Sequence, residues 1–210
     1  MPPRSVRATR PRTSADTSAS KRDLVARPPR IYTLAMLAYV FWHWPAAPDV
    51  ERDRYVDLLV AFHRALRAAP PPGFRGSRVL AVEGAPWTPS TSAFEDWYLL
   101  DDFAALGALN EAAITAARQA PHDAVARLAG GGAGGVYRRR SVGAGIPDRV
   151  HWASKPPGES YAAFLARLPA VEVWQRQLVL GPAPEFCVLG PPPAGAESLE
   201  VRVQVVEGTA

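Results

Sequence analysis

Two histidine–tryptophan pairs carry the residue types best suited to chemistry. VFWHWP, residues 40–45, holds His43 and Trp44, and RVHWAS, residues 149–154, holds His151 and Trp152. A histidine in a dry, aromatic-walled cavity can act as a general base near neutral pH. Tryptophan rings can sandwich a flat ligand, and a tyrosine hydroxyl can hydrogen-bond a phenolic or enolic oxygen. Neighbours on a strand point to opposite faces, so His43 shares a face with Tyr39 and Phe41, while Trp44 joins Val40 and Trp42. If the two strands face each other, both histidines or both tryptophans look into one cavity. The expected site therefore has His43 or His151 as base and Tyr39, Trp42, Trp44, Trp97, Tyr98 and Trp152 against the ligand. The competing reading makes each histidine a hydrogen-bonded core or rim residue, since neither has a partner at motif spacing.

Other candidates are weaker. Glu83 ends one strand and Glu95 and Asp96 begin the next, which suggests paired carboxylates, although acidic residues beside loops usually reach water. Asp101 and Asp102 suit the first turn of a helix. His63 and His122 read as surface residues. The four histidines show no metal-ligand spacing, and no metal or cofactor is expected. A haem would need a single axial histidine, His151 or His122. GGGAGG, 130–135, follows a helix instead of opening one, so it reads as a turn and not a phosphate loop. YRRR, 137–140, can hold an acidic group or be an exposed strand. Cys187, the only cysteine, reads as an inert core thiol.

The elements that must position these residues follow from periodicity. Residues 34–44 form an apolar strand closed by Pro45 and Pro48, and Asp49 is a candidate cap for the next element. Tyr55, Leu58, Leu59, Phe62 and Leu66 give a helix with one apolar face. Strands are expected at 77–83, 94–100 and 136–140, with helices from Asp101 and over 121–128. This order, β-α-β-β-α-β, is the split βαβ unit of ferredoxin-like folds. A second half begins at Val150, repeats the helix spacing at Tyr161, Phe164, Leu165 and Leu168, and continues with strands at 172–180, 185–189 and 199–206. PPPAGAES stands where its second helix would be. The pattern favours a duplication with a degenerate second copy over the alternative of two amphipathic helices that merely look alike.

WYLLDDFAALGALNEAA, 97–113, and YVFWHWPAAPDVERDRYVDLLVAFHRAL, 39–66, resemble the dimeric α+β barrel superfamily, in particular its EthD-like members. The resemblance covers 34–140 and, loosely, 148–206. It implies an α+β protein in which two ferredoxin-like βαββαβ halves, the second degenerate, pack sheet to sheet as one barrel. It also implies a small-molecule site. Members include cofactor-independent oxygenases, isomerases and decarboxylases of polyketide-like compounds, haem proteins, and proteins without known catalysis. The expected function is accordingly small-molecule binding. Its catalytic version is cofactor-independent chemistry on an aromatic or polyketide-like compound with a histidine base. Its alternatives are non-catalytic binding, a structural role or haem binding.

Composition frames these expectations. Residues 1–30 hold eight cationic side chains against Asp16 and Asp23, a surplus of six. The formal charge of the whole chain is +4, so the remainder carries about −2. This tail has too little apolar surface to order itself. It argues weakly for RNA or an anionic membrane, and no specific nucleic acid is expected. Residues 31–145 and 146–210 are the expected halves. IYTLAMLAYVFW, 31–42, is too short to span a bilayer, and Trp42, His43 and Trp44 suit a strand better than a signal-cleavage region. A reducing cytoplasm, and a monomer or a homodimer paired through LEVRVQVV, 199–206, complete the reading.

Overall fold

The computed structural model describes residues 36–47, 50–89 and 93–208. The expected basic tail and the candidate cap Asp49 lie outside them. The elements run β1 (Leu37–Pro45), α1 (Arg52–Ala68), β2 (Phe74–Glu83), β3 (Ala93–Leu100), α2 (Phe103–Ala113), α3 (Gln119–Ala126), β4 (Ala129–Ser141), β5 (Arg149–Ala153), α4 (Tyr161–Ala166), β6 (Glu172–Arg176), β7 (Phe186–Leu189) and β8 (Ser198–Glu207). The class is α+β, with an all-antiparallel sheet of eight strands.

Every strand pairs with two others, and the order β1-β3-β2-β8-β5-β7-β6-β4 returns to β1 as a closed barrel. The first four strands lie in the order 4-1-3-2. The last four repeat it, as 8-5-7-6. LEVRVQVV is therefore not an open edge: β5 pairs along 198–202 of β8, and β2 along 202–207. That removes the physical basis for the expected pairing with a second chain.

Alternation sorts the side chains between two cores. Val40, Trp42, Trp97, Tyr137, Trp152 and Trp174 point into the barrel, where all are buried. Leu37, Tyr98, Leu100 and Val136 point outward beneath α1 and α2. α4 covers Val173, Phe186 and Val188 of the second sheet with Phe164. No helix stands between β7 and β8.

The helices are pinned at their ends. Asp102 caps α2, accepting from Ala105 N at 2.9 Å. Gly73, at φ +75°, lies so close to this first turn that an added Cβ would sit 2.5 Å from Ala105 Cβ. Arg118 donates from Nε to the Ala112 carbonyl at 2.7 Å, and its Nη1 reaches the Ala69 carbonyl just past α1.

Two expectations about the frame change. The hollow expected between the sheets is packed: Trp42, Trp87, Tyr137 and Trp152 meet edge to face with centroids 5.2–6.3 Å apart. The interior of an eight-stranded barrel is just wide enough for side chains to fill, and here Trp42, Trp97, Trp152 and Trp174 fill it. GGGAGG is not a turn but the first half of β4, paired with β1 from Trp44 to Val40. The glycines make room for neighbouring aromatic rings. A Cβ at Gly132 would lie 2.3 Å from Phe41 Cζ, and one at Gly134 would lie 2.7 Å from the Tyr39 ring.

Candidate functional site

The cavity lies outside the barrel, between the outer faces of β1 and β3 and the helices α1, α2 and α3, with a volume of about 740 Å³. Its walls are mostly apolar, among them Phe41, Leu59, Phe62, Leu106, Leu109 and Val125. At one end stands a cluster of polar side chains contributed by β1, α1, β2 and β3.

Asp96 is its centre. It is 2 % exposed in the middle of β3. Its Oδ2 lies 3.3 Å from His43 Nε2 and 3.1 Å from His63 Nε2, and it accepts from the Tyr98 hydroxyl at 3.0 Å. The outer nitrogens are also engaged: His43 Nδ1 with the Tyr55 hydroxyl at 2.7 Å, His63 Nδ1 with Ser77 Oγ at 2.8 Å. Burial would raise the Asp96 pKa, but the two imidazoles beside it, chiefly by charge, hold its carboxyl well below the usual range. The same anion and burial, burial foremost, raise the phenol pKa values of Tyr39, Tyr55 and Tyr98. Tyr55 is thereby kept protonated, and its hydroxyl shares the 2.7 Å hydrogen bond with His43 Nδ1.

Asp96 Oδ1 is buried without a hydrogen-bond partner among the described residues, and His43 Nε2 has only its 3.3 Å ion-pair contact with Asp96 Oδ2, outside good hydrogen-bond geometry. Both residues line the cavity. A poorly satisfied imidazole nitrogen and an unsatisfied acceptor in an apolar wall carry a free-energy cost that a polar ligand would remove.

Of the expected site residues, His43, Tyr39 and Tyr98 line this cavity. Trp42, Trp97 and Trp152 point away from it into the packed barrel, and Trp44 is packed at that core's edge. The two His–Trp pairs therefore do not converge through their histidines. His151 lies on the outer face of the second sheet, with Nδ1 2.7 Å from the Gly190 carbonyl and Nε2 3.7 Å from Glu200. The tryptophans do meet, Trp42 and Trp152 at 5.6 Å, but as core.

Residues read as solvated turn out to be central. His63 is fully buried, and His122, bonded to Asp123 at 3.0 Å, lines the cavity. Glu95 and Asp96 are buried on opposite faces, so they form no pair with each other, and Glu83 is exposed beside Arg202. His63 had a signal in the sequence, since it stands four residues after Leu59 on the buried stripe of α1.

Glu95 occupies the barrel side of the same strand. It accepts from the indoles of Trp42 and Trp97, each at 2.5 Å. Burial pushes its pKa up to about 7 against these bonds and the nearby Arg78. Arg78 stacks over Trp97 and pairs with Glu172 at 2.8 Å, which also takes the Trp174 indole at 2.6 Å. Cys187 is buried in this core, and burial raises its thiol pKa.

No protein-family model matches the chain, and no curated protein matches its sequence. Among solved structures it is similar to a "putative monooxygenase" from Lactobacillus acidophilus NCFM, at 9 % identity over 80 % of this chain and 77 % of that one, with a TM-score of 0.45. No described helix is long and apolar enough to cross a membrane, and among the described residues no group of three or more His, Cys, Asp or Glu side chains is placed to hold a metal ion.

Proposed function

We propose that the protein binds a flat hydroxylated small molecule in the outer cavity and that His43, backed by Asp96, acts on it as a base without a cofactor. The observation that carries this reading is the pair of buried atoms short of good hydrogen-bond partners, His43 Nε2 and Asp96 Oδ1, at the polar end of an apolar cavity of about 740 Å³. A phenolic or enolic hydroxyl would satisfy them. In this reading Tyr55 takes up the ligand's proton as it passes its own to His43 Nδ1, and Asp96 stabilises the resulting imidazolium. The Tyr39 hydroxyl, which also lines the cavity, is suited to hydrogen-bond the oxyanion, the Tyr98 proton being already engaged by Asp96. The repeated strand order 4-1-3-2 favours an internal duplication of a ferredoxin-like unit, in which only the first copy kept both helices and hence the large outer cavity.

Calorimetric titration with 1-naphthol, 1,8-dihydroxynaphthalene and naphthalene tests the site. The hydroxylated compounds should bind tighter than naphthalene, and His43→Ala and Asp96→Asn should erase that advantage. Equal affinity for all three in the unaltered protein overturns the reading. Oxygen uptake with mass spectrometry of products then separates catalysis from binding alone.

A further inference from the structure

β4 goes out of register beside β6. Arg139 pairs with Trp174 and Ser141 with Val173, so Arg140 is the extra residue of a bulge. Bulges at a barrel rim re-aim a side chain. Arg140 Nε donates to Gln175 Oε1 at 2.7 Å, and Gln175 is buried, so the guanidinium is held while its two terminal nitrogens stay unbonded by any described residue. Two residues earlier, Arg138 Nε donates to Gln177 Oε1 at 3.2 Å. Neither arginine has a carboxylate partner among the described residues. Glu185 is reached only through Gln175 Nε2, at 3.5 Å. Burial and the charge of Arg138 together lower the Arg140 pKa from its ordinary value, as uncompensated cations do. Neighbouring arginines differ: Arg167 makes a two-point pair with Glu159, and Arg176 donates to the Gly181 and Ala183 carbonyls.

A second cavity, of about 270 Å³, opens against Arg140 and Ser141, walled by Leu165, Leu168, Pro169 and Val173. We propose that it binds a small organic monocarboxylate, with Arg140 making a two-point contact to the carboxylate and the hydrocarbon body lying on Leu165, Leu168 and Val173. The planar fork of arginine matches a carboxylate, and Arg138 adds a second positive charge beside it. The Ser141 hydroxyl donates to the Val171 carbonyl at 2.5 Å, which leaves it no proton to offer a phosphate. The apolar walls favour an acid with a compact hydrocarbon body.

Benzoate and its neutral counterpart benzamide, titrated into the isotopically labelled full chain and followed by amide NMR shifts, test the site. Benzoate should shift Ser141, Leu165 and Leu168 with a Kd of about 1 mM or tighter, and benzamide should not. Arg140→Gln should weaken benzoate by about tenfold or more while leaving shifts elsewhere in place, with Arg140→Lys between the two. Shifts confined to Tyr39, His43 and Asp96, equal binding of benzamide, or an unchanged affinity in Arg140→Gln would each overturn the proposal. Because this pocket and the outer cavity share no residue, failure here leaves the reading of His43 and Asp96 to stand or fall on its own titration.

Discussion

Glu95 and Asp96 are consecutive residues of one strand, both almost wholly buried, and they are pushed in opposite directions. Glu95 faces a packed lumen whose donors are the neutral indoles of Trp42 and Trp97. Asp96 faces a cavity and sits between two imidazoles that can carry charge. Burial raises both carboxyls. The neutral indoles and the nearby Arg78 offset it only in part, leaving Glu95 near 7, whereas the two imidazoles outweigh it at Asp96. One side of the strand is thus built for packing and the other for holding charge beside open space. The test of that contrast is whether perturbing each side produces a different kind of failure.

The largest expected effect is on the lumen. Trp152 touches Trp42, Trp87 and Tyr137 and makes no hydrogen bond through its indole nitrogen to any described residue. Trp152→Ala should cost about 3–5 kcal/mol, through lost burial and a residual void. Ile114→Ala, at the half-exposed mouth of the cavity, should change stability by about 0.5 kcal/mol or less. Urea unfolding of both variants measures the difference, and similar costs would mean that the lumen is not the principal core.

Next comes Asp96→Asn, which leaves two buried imidazoles facing a neutral amide. It should cost about 3 kcal/mol at neutral pH and abolish selective binding of hydroxylated ligands. The sign of the pH dependence follows from the lowered carboxyl. Its contribution is present above its ordinary pKa of 3.8 and is lost as pH falls through its still lower folded value. The variant should therefore approach the unaltered protein in stability only in strong acid. A constant difference down to low pH would remove Asp96 from its ionised role.

The order of strands was readable because hydrophobic period changes sharply along this chain. The helix at Tyr55–Leu66, the cap at Asp102 and the missing helix at PPPAGAES are local features with local causes. The site was harder to read. Alternation separates His43 from Trp44 correctly, but it cannot say which face meets helices, and the tryptophans filled the lumen that had been expected to hold the ligand. Glu95 and Asp96 looked like loop neighbours because their burial comes from distant partners: Trp42 on one side, His43 and His63 on the other. The glycine run looked like a turn because its purpose, room for the Phe41 and Tyr39 rings, belongs to the adjacent strand.

Glu95 gives a third effect, of the opposite sign. Its folded pKa of about 7 lies above the unfolded value of 4.5, so the folded chain keeps a proton that the unfolded chain gives up. Stability is fully present below 4.5 and declines as pH rises to about 7, by about 3 kcal/mol at 1.36 kcal/mol per unit if the whole shift is realised. Glu95→Gln should flatten this decline and raise the denaturation midpoint at pH 8. Since Trp42 and Trp97 bond the carboxylate, tryptophan fluorescence should titrate near pH 7 in the unaltered protein and not in the variant. A titration that survives Glu95→Gln would assign the signal to another group.

The smallest effect tests the cavity side by its shape. Gly134 pairs with Phe41, and a methyl group there would lie 2.7 Å from the Tyr39 ring. Gly134→Ala must therefore push Tyr39 away from β4. Tyr39 lines the cavity beside Phe41 and Tyr98, so the displacement narrows that part of it while leaving the lumen untouched. Stability should fall by about 1–3 kcal/mol, the usual cost of overpacking. Affinity for a bicyclic naphthol should drop by about tenfold, against a smaller loss for phenol, because only the larger ring needs the space. Calorimetry on the two ligands reads this directly. Equal losses for phenol and naphthol would mean that Tyr39 acts through its hydroxyl alone, and unchanged affinities would put the ligand elsewhere in the cavity.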